Sequence, residues 1–188
     1  MSDLAPVFPG QQAPALEVPL ARGGFFDLAR EAPQHFTMVV FYRGLHCIAC
    51  KAQLKDLEAK LPEFEKRGIG VVAISSDSRE RAERTKSDWG LPTLRLGHSL
   101  DLRMARSWGL YVSKGRTGPT ATGVDEPALY SEPGLYLVRP DGTVYVGSIQ
   151  TMPFARPHFA DILSAVDFMI AKNYPVRGDV LDLPPAST

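Results

Sequence analysis

Met38-Val39-Val40-Phe41-Tyr42-Arg43-Gly44-Leu45-His46-Cys47-Ile48-Ala49-Cys50-Lys51 is the stretch that decides the fold. Its first five residues are apolar or aromatic and rich in β-formers, the pattern of a strand buried on both faces. From Cys50 the apolar period changes from two to about 3.6: Cys50, Leu54, Leu57, Leu61 and Phe64 fall on one face of a helix. Both cysteines of the chain therefore lie at a strand-to-helix junction, spaced Cys-x-x-Cys. Cys50 opens the inward stripe, while Cys47 lies one turn earlier, at the exposed helix tip.

Outward from this junction the elements alternate. On the N-terminal side, Leu16 to Leu20 reads as a short edge strand and Gly23-Gly24 turns it into Phe25 to Leu28, a hairpin. On the C-terminal side, Lys51 to Lys66 is helical, and Pro62 should kink or break it. Val71 to Ile74 is a second buried strand, closing a parallel βαβ crossover. Ser76 or Asp77 can cap a helix over 78–89, Thr93 to Leu96 alternates like a strand, and Asp101 to Trp108 is a short helix stopped by Gly109. Residues 111–131 contain three glycines and two prolines and read as one long loop. Leu135 to Arg139 and Thr143 to Ser148 form a hairpin around Pro140-Asp141-Gly142. A last helix opens at Pro157 and buries Phe159, Ile162, Leu163, Val166, Met169 and Ile170. This order predicts an α/β fold: a central mixed β-sheet flanked by helices, in one domain over 1–188, with a core of about 10–172 and an extended tail over 173–188.

Composition narrows the function classes. Lys plus Arg and Asp plus Glu are 21 each in 188 residues, so no global field recruits nucleic acid or an anionic membrane. No apolar run reaches the roughly 18 residues of a membrane span. The first ten residues lack the basic-then-apolar pattern of a secretory signal, and two neighbouring cysteines do not make a disulfide scaffold. The expectation is a cytoplasmic protein without cofactor.

A helix N-terminus offers unpaired N–H groups and a positive dipole end to a thiolate. In Cys-x-x-Cys one thiol also donates to the other, which lowers its pKa from ~8.5 towards ~7 or below. His46, Arg43 and Lys51 would add positive charge beside Cys47. The alternatives are zinc, which needs two more ligands where His35, His98 and His158 are scattered, or two buried structural cysteines.

With these residues in view, the sequence resembles the thioredoxin superfamily, and within it the peroxiredoxin-like (AhpC/TSA, redoxin) group. The strand into Tyr42, the Cys47-x-x-Cys50 turn and Pro133 before Leu135 are thioredoxin-like. Val71 to Ser78, Leu91-Pro92, Asp101 to Gly109 and the opening Ala13-Pro14…Leu20…Gly24…Asp27-Leu28 are similar to peroxiredoxins. The resemblance implies a thioredoxin fold, with Pro133 in the place of the superfamily's cis-proline. It implies a homodimer, a peroxide or disulfide substrate, and a thiol electron donor of thioredoxin or glutathione type. Laid on the peroxiredoxin motif Pro-x-x-x-Thr-x-x-Cys, Cys50 takes the peroxidatic position, Cys47 the Thr and Arg43 the Pro; the family's later arginine would fall near Pro133 and is missing. The family frame thus points to Cys50 as attacking thiol, whereas helix-end physics points to Cys47. Three functions stay in play: peroxide reduction through a Cys47–Cys50 cycle, protein disulfide reduction with Cys47 as nucleophile, and a non-enzymatic redox switch.

Overall fold

The computed structural model describes residues 7–118, 120–152 and 154–182. The strands are β1 (Glu17–Pro19), β2 (Phe25–Asp27), β3 (Phe36–Phe41), β4 (Ile69–Ile74), β5 (Leu96–Gly97), β6 (Val112–Lys114), β7 (Leu129–Ser131), β8 (Gly134–Val138) and β9 (Val144–Ile149). The helices are α1 (Ile48–Lys66), α2 (Arg79–Asp88), α3 (Leu102–Ser107) and α4 (Phe159–Ala171). Five strands form a mixed sheet in the order β5-β4-β3-β8-β9. β3 runs parallel to β4 through the α1 crossover and antiparallel to β8, and the tight 140–142 turn sets β9 antiparallel to β8.

Strand alternation sorts the core into two layers. Met38, Val40 and Tyr42 face Leu54, Leu57, Phe64 and Phe159, below α1 and α4. Val39 and Phe41 face Trp108, Tyr136, Leu16 and Phe26, beneath α3 and the β1–β2 hairpin. Phe64 and Phe159 meet edge-on at 6.2 Å and lock α4 to α1. Trp89 and Trp108 are both core residues.

Several expectations change. Pro62 leaves α1 continuous, since it removes one ladder bond while Leu57 and Phe64 stay buried on either side of it. Ser78, not Ser76 or Asp77, caps α2. Thr93 and Leu94 do not join the sheet because the Glu58 carboxylate takes both N–H groups at 2.8 Å. Pro157 precedes the cap residue His158 and does not sit inside α4. The 111–131 segment is no open loop: β6 and β7 pair at its base, so it is a hairpin excursion beginning and ending beside the sheet.

Candidate active site

β3 delivers the chain to Arg43 at the edge of the sheet core, and a tight turn at Gly44 (φ 131°) redirects it into α1. A Cβ at Gly44 would stand 2.6 Å from the Asp77 carboxylate, so glycine is required there twice, by backbone and by space. Asp77 is buried; its carboxylate accepts the Leu45 N–H at 2.7 Å and pairs with Arg81 at 2.9 Å. Burial raises the Asp77 pKa, and the Leu45 N–H and Arg81 oppose that shift. This anchor fixes the turn that presents the cysteines.

Cys47 is the cap residue of α1, and its sulfur accepts the Cys50 N–H at 3.2 Å. It is not exposed as its helix-tip position suggested: 5% of its surface is accessible, and Cys50 has none. The Cys47 pKa is brought from 9.0 to about 6, first by the Cys50 thiol donating to it, against the cost of burial, with Arg156, the Cys50 N–H and Arg43 adding to the effect. Cys50 moves the opposite way, well above its ordinary value, because of burial and because it shares its proton with the Cys47 sulfur. One thiolate and one thiol are therefore poised as a pair.

Arg156 joins both. Its Nη2 donates to Cys50 Sγ at 3.2 Å and reaches Cys47 Sγ at 3.7 Å, while Nη1 is held by the Gln53 side chain on α1. Sequence reading missed this residue. It lies between β9 and α4, more than a hundred positions from the dithiol, and no local spacing announces it. An arginine on the connection returning to α1 was the available signal.

Arg43 and His46 are beside Cys47, in different roles from those expected. The Arg43 guanidinium donates to Tyr130, stacks on its ring at 4.8 Å, and pairs with Glu132 at 3.6 Å and Glu126 at 3.8 Å. It acts on Cys47 through its charge, without a hydrogen bond. His46 does not add a positive charge: burial, then the Arg43 charge, lowers its pKa from 6.5 to about 4, so the ring is neutral. Both ring nitrogens are buried without a hydrogen-bond partner among the described residues, and the ring packs on Tyr130 at 4.7 Å.

Pro133 is the clearest correction. Among the described residues no peptide bond is cis. The Glu132 N–H donates to the Tyr111 carbonyl at 2.8 Å and the Pro133 carbonyl accepts from the Gln150 N–H at 3.0 Å, in the two-residue link between β7 and β8. Pro133 does not line the pocket above Cys47.

That pocket, about 170 Å³, is lined by Arg43, His46, Cys47, Ile48 and Ala49 below and by Arg116, Thr120, Ala121 and Glu126 of the 111–131 excursion above. Thr122 donates to the His46 carbonyl at 3.1 Å, and Arg81 donates to the Asp125 carbonyl at 3.0 Å, tying the roof to the floor. Lys114 is on β6, outside the pocket lining; Arg116 is at its rim. Among the described residues no group of three or more His, Cys, Asp or Glu is placed to hold a metal ion. No helix of the described residues is long and apolar enough to cross a membrane.

Known proteins resemble the chain in this frame. Peroxiredoxin Bcp of Xanthomonas campestris pv. campestris is 25% identical over 135 residues, 70% of this chain and 78% of its own. The crystal structure of peroxidoxin BcpB from Mycobacterium tuberculosis superposes with a TM-score of 0.67 at 15% identity, covering 87% of this chain and 98% of the other. A structure of Xanthomonas campestris peroxiredoxin Q gives 0.64 at 22% identity, covering 89% and 98%. These likenesses carry the fold. The model of the AhpC/TSA family matches residues 9–146, which spans the sheet and the dithiol and stops short of Arg156. The chain belongs to the AhpC/TSA family, with a peroxiredoxin-like thioredoxin fold.

Proposed function

We propose that the chain is a thiol peroxidase that reduces hydroperoxides, with Cys47 as the attacking thiolate and Cys50 as the resolving thiol. The observation that carries this reading is the opposite shift of the two sulfurs. Cys47 is ionised near neutrality and opens on the pocket, while Cys50 is protonated and enclosed. The Cys47 thiolate attacks the terminal oxygen of the hydroperoxide. An S–O bond forms, the O–O bond breaks, and the departing alkoxide or hydroxide takes a proton from water. Arg156 then has one fewer negative charge to serve. Once Cys47 is a neutral sulfenic acid, its charge no longer opposes ionisation of Cys50, and the guanidinium 3.2 Å away favours the Cys50 thiolate. Cys50 attacks the Cys47 sulfur, the S–S bond forms, and water leaves. A thiol donor returns the pair to the dithiol.

Family membership supports this chemistry. The pKa ordering supports Cys47 as the attacking thiol, where the family motif laid on the chain favours Cys50. The disulfide-reductase reading loses its support at Pro133, because the Glu132 N–H is already bonded to Tyr111 and presents no free edge to a peptide. A cytoplasmic setting fits a cycling disulfide rather than a structural one. The same reading takes the chain as one domain and its assembly as a homodimer.

Reduced Cys47→Ser and Cys50→Ser variants, mixed with hydrogen peroxide and a sulfenic-acid trap, test the reading. Cys50→Ser is expected to form a trapped sulfenic acid and Cys47→Ser is not. The reverse result reassigns the roles, and no reaction above that of a free thiol in either variant removes the peroxidase reading.

A further inference from the structure

Closing the cycle requires a thiol to reach the Cys47–Cys50 disulfide, and the surroundings of Cys47 restrict which thiol can. The pocket leading to Cys47 holds about 170 Å³. That is room for roughly half a dozen waters at ~30 Å³ each, and less than the ~300 Å³ at which pockets for larger ligands begin. Its roof is tied down at Thr122 and at Asp125, and its floor is held by Asp77. A folded donor protein would have to bring a helix-borne cysteine through this opening, whereas a small thiol enters whole.

The lining also carries a charge preference. Arg43 and Arg116 supply two positive charges and Glu126 one negative; His46 is neutral. The Arg43 guanidinium is mostly enclosed among Tyr130, Glu126 and Glu132. The Arg116 side chain, by contrast, is 79% exposed at the rim and among the described residues pairs only with Glu126, at 3.3 Å, leaving guanidinium donors for an incoming carboxylate. Deeper in, the two buried imidazole nitrogens of His46 have no hydrogen-bond partner among the described residues, and the residue lines the space an entering S–H would occupy. Cys47 lines the pocket and Cys50 does not, so an entering thiol meets Cys47, and Arg156, 3.2 Å from Cys50 Sγ, is placed to receive the Cys50 thiolate that leaves.

We propose that this pocket is the entry site for a small, carboxylate-bearing thiol, which reduces the Cys47–Cys50 disulfide by attacking Cys47. The inference rests on the dithiol cycle of the proposed function and names its electron donor. The donor thiolate bonds to Cys47 Sγ, the Cys47–Cys50 bond breaks, and Cys50 leaves as a thiolate beside Arg156. A second donor thiolate attacks the donor sulfur of the mixed disulfide. The donor disulfide departs, and Cys47 returns as a thiolate. Two donor thiols are oxidised for each protein disulfide reduced.

The full chain, oxidised with diamide to its intramolecular disulfide, provides the test without any peroxide. It is mixed with 3-mercaptopropionate, 2-mercaptoethanol or cysteamine, and separately with reduced thioredoxin. Rates are compared per thiolate, and the mixed disulfide is trapped by acid and mapped by mass. The expected result is a mixed disulfide on Cys47. Per thiolate, 3-mercaptopropionate should outpace cysteamine by roughly twofold to fivefold at low salt, with the gap closing at high salt. Thioredoxin should be slower than 3-mercaptopropionate at equal concentration. Arg116→Ala should abolish the charge preference and leave the mapping to Cys47 unchanged. A mixed disulfide on Cys50, equal rates for the charged thiols, or faster reduction by thioredoxin would overturn the proposal. Failure to reduce peroxide would overturn the peroxidase reading and leave these rates standing.

Discussion

One guanidinium serves two sulfurs: Arg156 Nη2 is 3.2 Å from Cys50 Sγ and 3.7 Å from Cys47 Sγ. Arg156→Met removes this charge while retaining much of the side chain's length. The variant is expected to raise the Cys47 pKa by about one unit and to slow disulfide formation about tenfold or more. Arg156→Lys should restore part of the pKa and less of the rate, because an ammonium lacks the fork that also reaches Gln53. Iodoacetamide alkylation of Cys47 against pH measures the first effect; disappearance of trapped sulfenic acid measures the second.

On the proposed reading, in which Cys47 is the attacking thiolate, the reaction has a pH profile. With the Cys47 pKa at about 6, the thiolate is about a tenth of the protein at pH 5 and about nine-tenths at pH 7. Single-turnover reaction with hydrogen peroxide should therefore rise about tenfold between those values and level off above. The largest influence on Cys47 is the Cys50 thiol, so Cys50→Ala should move the midpoint upward by about one unit. A midpoint unmoved in Cys50→Ala would deny that thiol its role.

His46 makes the fold sensitive to acid. Its pKa is lowered from 6.5 to about 4, so between those values an unfolded chain binds a proton that the folded protein refuses. Stability due to this residue is thus intact above pH 6.5 and falls as pH drops towards 4, by about 3 kcal/mol in all. His46→Asn should flatten that part of the profile in urea unfolding measured from pH 7 to pH 4.

Asp77 joins the turn before the cysteines to α2. Asp77→Ala leaves the Leu45 N–H without its acceptor and Arg81 without its ion partner, at a cost of about 2–4 kcal/mol in urea denaturation. Gly44→Ala is expected to be harmful by a different route, a close contact with Asp77 at φ 131°. Combining it with Asp77→Ala should relieve the contact but not the backbone strain, and the cycle of the two variants separates them.

The sheet was legible because β3, β4 and β8 are continuous apolar runs and α1 carries its stripe at helical spacing. The dithiol was legible because Cys47 and Cys50 are three positions apart at a strand-to-helix junction. What local pattern could not show was which side chains distant segments bring to them. Arg156 arrives from beyond the family-matched residues, and the 111–131 excursion resembles a loose loop until β6 and β7 pair. His46 looked cationic because its neighbours Arg43 and Lys51 are; burial reverses this, since a second positive charge beside Arg43 has nothing to solvate it. Pro133 carried the superfamily's position without its geometry: its peptide bond is trans, in the short link between β7 and β8.

Arg156 contacts both sulfurs of the dithiol, and its guanidinium gains most from a thiolate. A neutral disulfide forfeits that attraction, so the reduced form is the one Arg156 stabilises. Whatever favours the reduced form moves the couple's potential in the oxidising direction. In the proposed cycle the Cys47–Cys50 couple is therefore one that takes up electrons readily, and Arg156→Met should make its potential more negative, as read by equilibration against glutathione redox buffers.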